Sequence, residues 1–200
     1  MGRKLFLIIF VLAFALAGCG SGSNDNEAAS PTTTSTSPPS MRTVPDCMPS
    51  PSASTSPQKS SANEGRETMY LTNVTLAGTD CADKVVFDFE QHAPGPGYDV
   101  SYQPADTAKI EDASGNPIDV AGDAFLVVKL MPAMTAKIDG DQVTKTYTGP
   151  RRVPGSGSVQ EVVKTGDFEG VVTWVIGLDQ ERPFTTEVSD SQLVVEIDRS

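Results

Sequence analysis

Two hydrophobic patterns divide the chain. Leu5 to Leu16 form one unbroken apolar run behind Arg3 and Lys4, whereas after Tyr70 apolar residues recur at every second position. Val85, Phe87 and Phe89 alternate with Val86, Asp88 and Glu90; Tyr98, Val100 and Tyr102 with Asp99, Ser101 and Gln103; Leu193, Val195 and Ile197 with Val194, Glu196 and Asp198. A period of two marks strands with one buried face. Turn formers stand between the runs: Gly78-Thr79-Asp80, Pro94-Gly95-Pro96-Gly97, Ser114-Gly115-Asn116-Pro117, Asp139-Gly140-Asp141 and Gly166-Asp167. Val171 to Leu178 is nearly all apolar with Trp174 in its middle, which predicts a central strand covered on both faces. No segment carries a helical stripe, and Ala105 to Ile110 allows one short turn of helix. Ile138 to Thr144 and Gly149 to Gly157 read as loops, the second the most mobile. The sum, about eight or nine short strands at hairpin spacing, predicts an all-β fold: a single β-sandwich domain over residues 67–200.

The apolar run near the start has a different purpose. It is too short for a membrane span of about 20 residues, and with its basic start and small residues before a cut site it reads as a secretory signal. Leu16-Ala17-Gly18-Cys19 places a Cys just after small residues, as bacterial lipoprotein signals do. Residues 1–18 are therefore expected as a lipoprotein signal peptide. Cys19 becomes the lipidated first mature residue, anchored by a diacylglyceryl group to the outer face of the cell membrane. Two acyl chains suffice for stable anchoring. The competing reading is an ordinary secretory signal that releases a soluble protein.

Composition separates the anchor from the domain. From Gly20 to Met69 no aromatic residue occurs, and Ser, Thr, Pro and Ala dominate, as in Ser30-Pro31-Thr32-Thr33-Thr34-Ser35. Such a segment buries too little apolar surface to offset its ordering entropy, so residues 19–66 are expected to be a disordered linker that permits O-glycosylation. The formal net charge is −11, and no basic cluster exceeds Arg151-Arg152. This argues against nucleic acid, which is bound through basic patches. Acidity also repels anionic lipid heads, which suits a domain held off the membrane. Cys47 and Cys81 remain after Cys19 in a compartment where disulfides persist. They either bridge, stapling the end of the linker to the domain, or stay free thiols.

Few residues suggest chemistry. His92 is the single His, it lies in a turn, and no G-x-S-x-G elbow accompanies it. Zinc requires several Cys or His ligands that the chain lacks. Asp139-Gly140-Asp141 is short of the later Glu that an EF-hand loop supplies. The Gly95-Pro96-Gly97 and Gly155-Ser156-Gly157 segments have neither the spacing nor the Lys of a phosphate loop. No metal and no cofactor is expected. Asp167 and Glu169 flank Phe168 as hairpin residues more readily than as the acid pair of a glycosidase.

The domain resembles the AMIN-like domain of actinobacterial lipoproteins, a distant relative of the AMIN domain of cell-wall amidases. The resemblance is carried by Asp83-Lys84-Val85-Val86-Phe87-Asp88-Phe89, Pro96-Gly97-Tyr98-Asp99-Val100 and Val120-Ala121-Gly122-Asp123-Ala124-Phe125-Leu126-Val127. Its most specific block is Gly166-Asp167-Phe168-Glu169-Gly170-Val171-Val172-Thr173-Trp174, and Pro183-Phe184 with Ser191-Gln192-Leu193-Val194-Val195 close it. Lys84 stands where the family usually has Arg, and Cys81-Ala82 where many members have a Gly-aromatic pair. The resemblance implies a β-sandwich in the cell envelope. Because amidase AMIN domains are targeting modules, it also implies peptidoglycan binding without catalysis.

The expected product is a membrane-anchored lipoprotein whose non-catalytic sandwich binds wall glycan, with an envelope protein as the alternative partner and a carboxylate hydrolase third. Trp174, Phe168, Tyr98 and Tyr102 offer either an aromatic sugar platform or core packing. Tyr98, Tyr102, Arg151 and Arg152 are the candidate ligand contacts.

Overall fold

The structure is a computed structural model and describes residues 47–48, 50–60, 67–90, 95 and 97–200. The expected signal peptide with Cys19, most of the expected linker and His92 lie outside the described residues. Two sheets face each other. One contains, in spatial order, β12 (Phe184–Val188), β13 (Gln192–Asp198), β3 (Ala82–Phe89), β2 (Met69–Gly78) and β6 (Ala133–Met134). The other contains β1 (Gln58–Lys59), β4 (Tyr98–Gln103), β5 (Ala124–Leu130), β11 (Val171–Leu178), β10 (Val159–Phe168) and β9 (Arg152–Ser156). All pairings in these sheets are antiparallel except β2 with β6. A separate hairpin joins β7 (Ala136–Asp139) and β8 (Gln142–Lys145).

The alternating residues do what a period of two requires. Val85, Phe87 and Phe89 of β3, with Leu193, Val195 and Ile197 of β13, point inward and meet Val100, Leu126, Val128, Trp174 and Ile176 from the opposite sheet. Trp174 is fully buried and stands edge-on to Phe87, ring centroids 6.0 Å apart. The continuous apolar run of β11 has a second cause. Val175, with Phe125, Val127 and Val163, forms a smaller core on the outer face, covered by Ala108 of the one-turn helix α1 (Ala105–Ala108) and by Ile118 and Val120. The central strands are thus buried on both faces, which is why they lack alternation.

Three segments differ from the sequence expectation. Residues 47–60, expected within the disordered linker, include a strap that lies along the domain. Ser54 exchanges backbone hydrogen bonds with Phe184 at 3.0 and 3.1 Å, and Gln58–Lys59 pair with β4. The Gln58 amide donates to the Phe184 carbonyl at 2.7 Å and accepts from the Thr186 N–H at 3.0 Å. The strap therefore bridges the two sheets, and the Cys47 and Cys81 sulfurs are bonded at its start. Residues 149–157, expected as a mobile loop, contain the edge strand β9. Residues 138–144, also expected as a loop, form most of the β7–β8 hairpin.

Candidate functional site

Four pieces of chain enclose a cleft of about 740 Å³. The first is the end of β10. Between Lys164 and Gly166 the register against β11 slips, leaving Thr165 as the extra residue of a bulge. Bulges bend a strand and re-aim its side chains. Past the bulge, Glu169 (φ 50°) and Gly170 (φ 76°) make a two-residue turn, and Phe168 stands 53% exposed at the rim.

The β7–β8 hairpin is the second piece. Ala136 pairs with Lys145 and Ile138 with Val143, so these four share one face, and Ala136, Val143 and Lys145 line the cleft. The opposite face is fastened to the neighbouring sheet by Lys137. Its ammonium lies 2.6 Å from a Glu90 carboxylate oxygen and 5.2 Å from the Tyr70 ring centre. Ile138 and Val143 remain exposed.

Tyr147, in the connection that follows the hairpin, is buried. Its ring stands edge-on to Trp174 at 5.6 Å, and its hydroxyl donates to the Pro150 carbonyl at 2.7 Å. Burial pushes the phenol above its ordinary pKa. The fourth piece is the loop at Glu111 to Ala113, held to the bulge by the Asp112 N–H donating to the Thr165 carbonyl at 3.0 Å.

Most charges in the cleft are neutralised internally. Lys164 lies 3.5 Å from Asp167 and 5.7 Å from the Tyr147 ring centre, and the Thr135 hydroxyl donates to the same Asp167 oxygen. Arg151 contacts Glu111 at 2.5 Å and donates through Nε to the Lys164 carbonyl at 3.0 Å. Glu111 also accepts from the Ser114 hydroxyl at 2.7 Å. That bond, and then Arg151, hold its carboxyl below the ordinary value. The Asp112 carboxylate and the Lys145 ammonium have no hydrogen bond or ion pair among the described residues.

The residues expected to contact ligand go to separate places. Arg151 lines the cleft. Arg152, its neighbour on β9, points elsewhere, 2.9 Å from Glu161 and donating to the Asp119 carbonyl at 2.8 Å. Tyr98 and Tyr102 pack against the main core from β4, which β5 and β11 separate from β10. The Tyr98 phenol lies 3.0 Å from the Thr186 hydroxyl. The Tyr102 phenol donates to the Arg182 carbonyl at 2.8 Å and borders a second cleft of about 570 Å³. With Trp174 buried and Phe168 at the cleft rim, the four aromatics form no common platform. Asp139-Gly140-Asp141 spans the hairpin turn, and among the described residues no three His, Cys, Asp or Glu side chains gather as a metal would need. No described helix is long and apolar enough to cross a membrane.

Tyr147, Asp112 and Lys145 escaped the sequence reading. The only signal for Tyr147 was a lone aromatic in the polar stretch Lys145-Thr146-Tyr147-Thr148.

A family model, AMIN-like domain, matches residues 69–199, most of the chain. No curated protein and no solved structure is significantly similar.

Proposed function

This chain belongs to the AMIN-like domain family, and from that premise we propose that it is an envelope lipoprotein whose non-catalytic sandwich binds peptidoglycan in the cleft beneath the β7–β8 hairpin. One observation carries the reading: Gly166, Asp167 and Phe168, which open the block most specific to the family resemblance, line that cleft. Its volume is in the range of ligand sites. An exposed aromatic, apolar hairpin residues and converging polar groups are what such sites combine.

Two of the three carboxylates that line the cleft, Glu111 and Asp167, favour binding over hydrolysis. A glycosidase acid must stay protonated, so its pKa is raised. Glu111 is shifted the opposite way, and Asp167 is tied to Lys164 and Thr135. In this reading Cys19 carries the lipid and the Ser/Thr/Pro-rich residues after it form a spacer. The Cys47–Cys81 bond is where the spacer joins the domain.

Co-sedimentation of residues 20–200 with purified sacculi, at low and high salt, tests the proposal. Saturable pelleting that survives high salt, and weakens when Phe168 is replaced by Ala, is the expected result. Absence of pelleting overturns wall binding and transfers the exposed Ile138, Val143 and Phe168 surface to an envelope protein partner.

A further inference from the structure

Resting on the wall-binding reading, we propose that the cleft takes a zwitterionic peptide, the chemical class of a peptidoglycan stem, with Lys145 receiving its carboxylate and Asp112 its amine. Six charged side chains line the cleft, and four of them are spent on each other as Arg151 with Glu111 and Lys164 with Asp167. The two left over have opposite sign and stand on different walls. Lys145 projects from β8, and Asp112 from the loop beside the β10 bulge. The backbone fixes Asp112, whose N–H donates to the Thr165 carbonyl at 3.0 Å, and its carboxylate lies over the bare Cα of Gly166, where an added Cβ would stand 1.9 Å from Oδ2.

A neutral glycan can hydrogen-bond to both groups but carries no counter-charge for either. A polyanion meets Asp112 and a chain of net charge −11, which repels it before contact. A peptide bearing one free carboxylate and one free amine satisfies both. Val143 and Phe168, which also line the cleft and are exposed, supply apolar surface for its side chains. Charge-assisted hydrogen bonds are shorter and stronger than neutral ones, so the zwitterion is favoured over a neutral sugar at this exposed pair.

Calorimetric titration of residues 20–200 tests the assignment with three probes: disaccharide-peptide fragments of sacculi, glycan chains stripped of peptide, and the free stem peptides. Fragments and free peptides should bind, and stripped glycan should not. Acetylating the peptide amine, Lys145→Ala and Asp112→Asn should each weaken binding about two- to fivefold, while Lys59→Ala, on the strap and outside the cleft, leaves it unchanged. Both cleft residues are exposed, so the variants should melt like the parent, and Lys145→Glu supplies a stronger second test. Binding of stripped glycan with no binding of peptide overturns the inference and leaves wall binding standing. So does pelleting with intact sacculi while none of the soluble probes binds. Failure with sacculi as well overturns the wall-binding reading itself.

Discussion

The Asp112 carboxylate occupies the space that a side chain on residue 166 would fill. A Cβ built on Gly166 stands 1.9 Å from Asp112 Oδ2 and 2.5 Å from its Cγ. The glycine is therefore required by a close approach and not by its backbone angles. Gly166→Ala forces the Asp112 loop away from the bulge. The expected cost is about 1 kcal/mol of stability, that of an ordinary point substitution, because Asp112 is exposed and can yield in part. Peptide affinity should fall with it. Urea denaturation measures the first effect, and an unchanged midpoint would rule the contact out as a constraint.

Asp83 predicts how the domain responds to acid. Its side chain is 1% exposed and accepts from Arg199 Nε at 2.8 Å, the Ser158 N–H at 2.9 Å and the Ser158 hydroxyl at 2.5 Å. Burial by itself raises the carboxyl, but the hydrogen bonds from Arg199 and then Ser158 outweigh it and hold the pKa below its ordinary value. The sign follows from linkage. In the unfolded chain Asp83 binds a proton near pH 3.9, while in the folded chain it stays ionised to lower pH. Its stabilisation is thus complete above about pH 4–5 and lost as pH falls through the folded value. Thermal melts from pH 7 to pH 3 should show this loss. Asp83→Asn should cost about 2–4 kcal/mol at pH 7, because Arg199 loses its anion, and should flatten the acid limb. An acid limb of unchanged steepness in the variant would assign the effect to other carboxylates.

The Cys47–Cys81 bond closes a loop with a sequence separation of 34 and fixes the start of the strap. On the chain-entropy account such a crosslink contributes about 3–4 kcal/mol. Replacing both cysteines by Ser should lower stability by about that amount. Reducing the parent should produce the same loss, which separates the bond from any packing change. A double variant as stable as the oxidised parent would show that Gln58 and the Ser54 backbone pairing hold the strap unaided.

The sequence shows the parts of this fold that hydrophobic burial writes into it. β3, β4 and β13 each bury one face, so their residues alternate; β11 buries both, so Val171 to Leu178 is nearly continuous. The segments missed are those ordered by other means. Both strands of the β7–β8 hairpin are largely exposed, so no alternation betrays them. β9 is an edge strand, where Pro154 is tolerated because one side needs no partner. Gln58 orders its segment through an amide that bonds to both Phe184 and Thr186, a long-range contact that leaves no periodic trace. The cleft was legible in half. Phe168, Asp167 and Arg151 drew attention in the sequence, but the walls that complete the site come from Asp112 and the hairpin, distant along the chain. Tyr98 and Tyr102 are half-buried, packed against the core from β4 and remote from this cleft, a placement that period two alone does not reveal.

Glu169 gives a prediction of opposite sign to the others. It is the first residue of the two-residue turn between β10 and β11, with φ at 50° and Gly170 following at 76°. Positive φ at both positions is the type I′ geometry, whose twist matches that of the flanking strands, and it favours Asn-Gly. An ordinary side chain in the left-handed region costs roughly 1–2 kcal/mol, while Asn is tolerated there because its short side chain bonds locally. Glu169 is exposed and lines no part of the cleft, so nothing visible offsets that cost. Glu169→Asn should therefore stabilise the domain by about 0.5–1 kcal/mol. That gain should raise the melting temperature by several degrees for a domain of this size without altering peptide affinity. Were the variant instead less stable, the Glu169 side chain would have a stabilising contact in solution, and its carboxylate would join the groups to be tested at the rim beside Phe168.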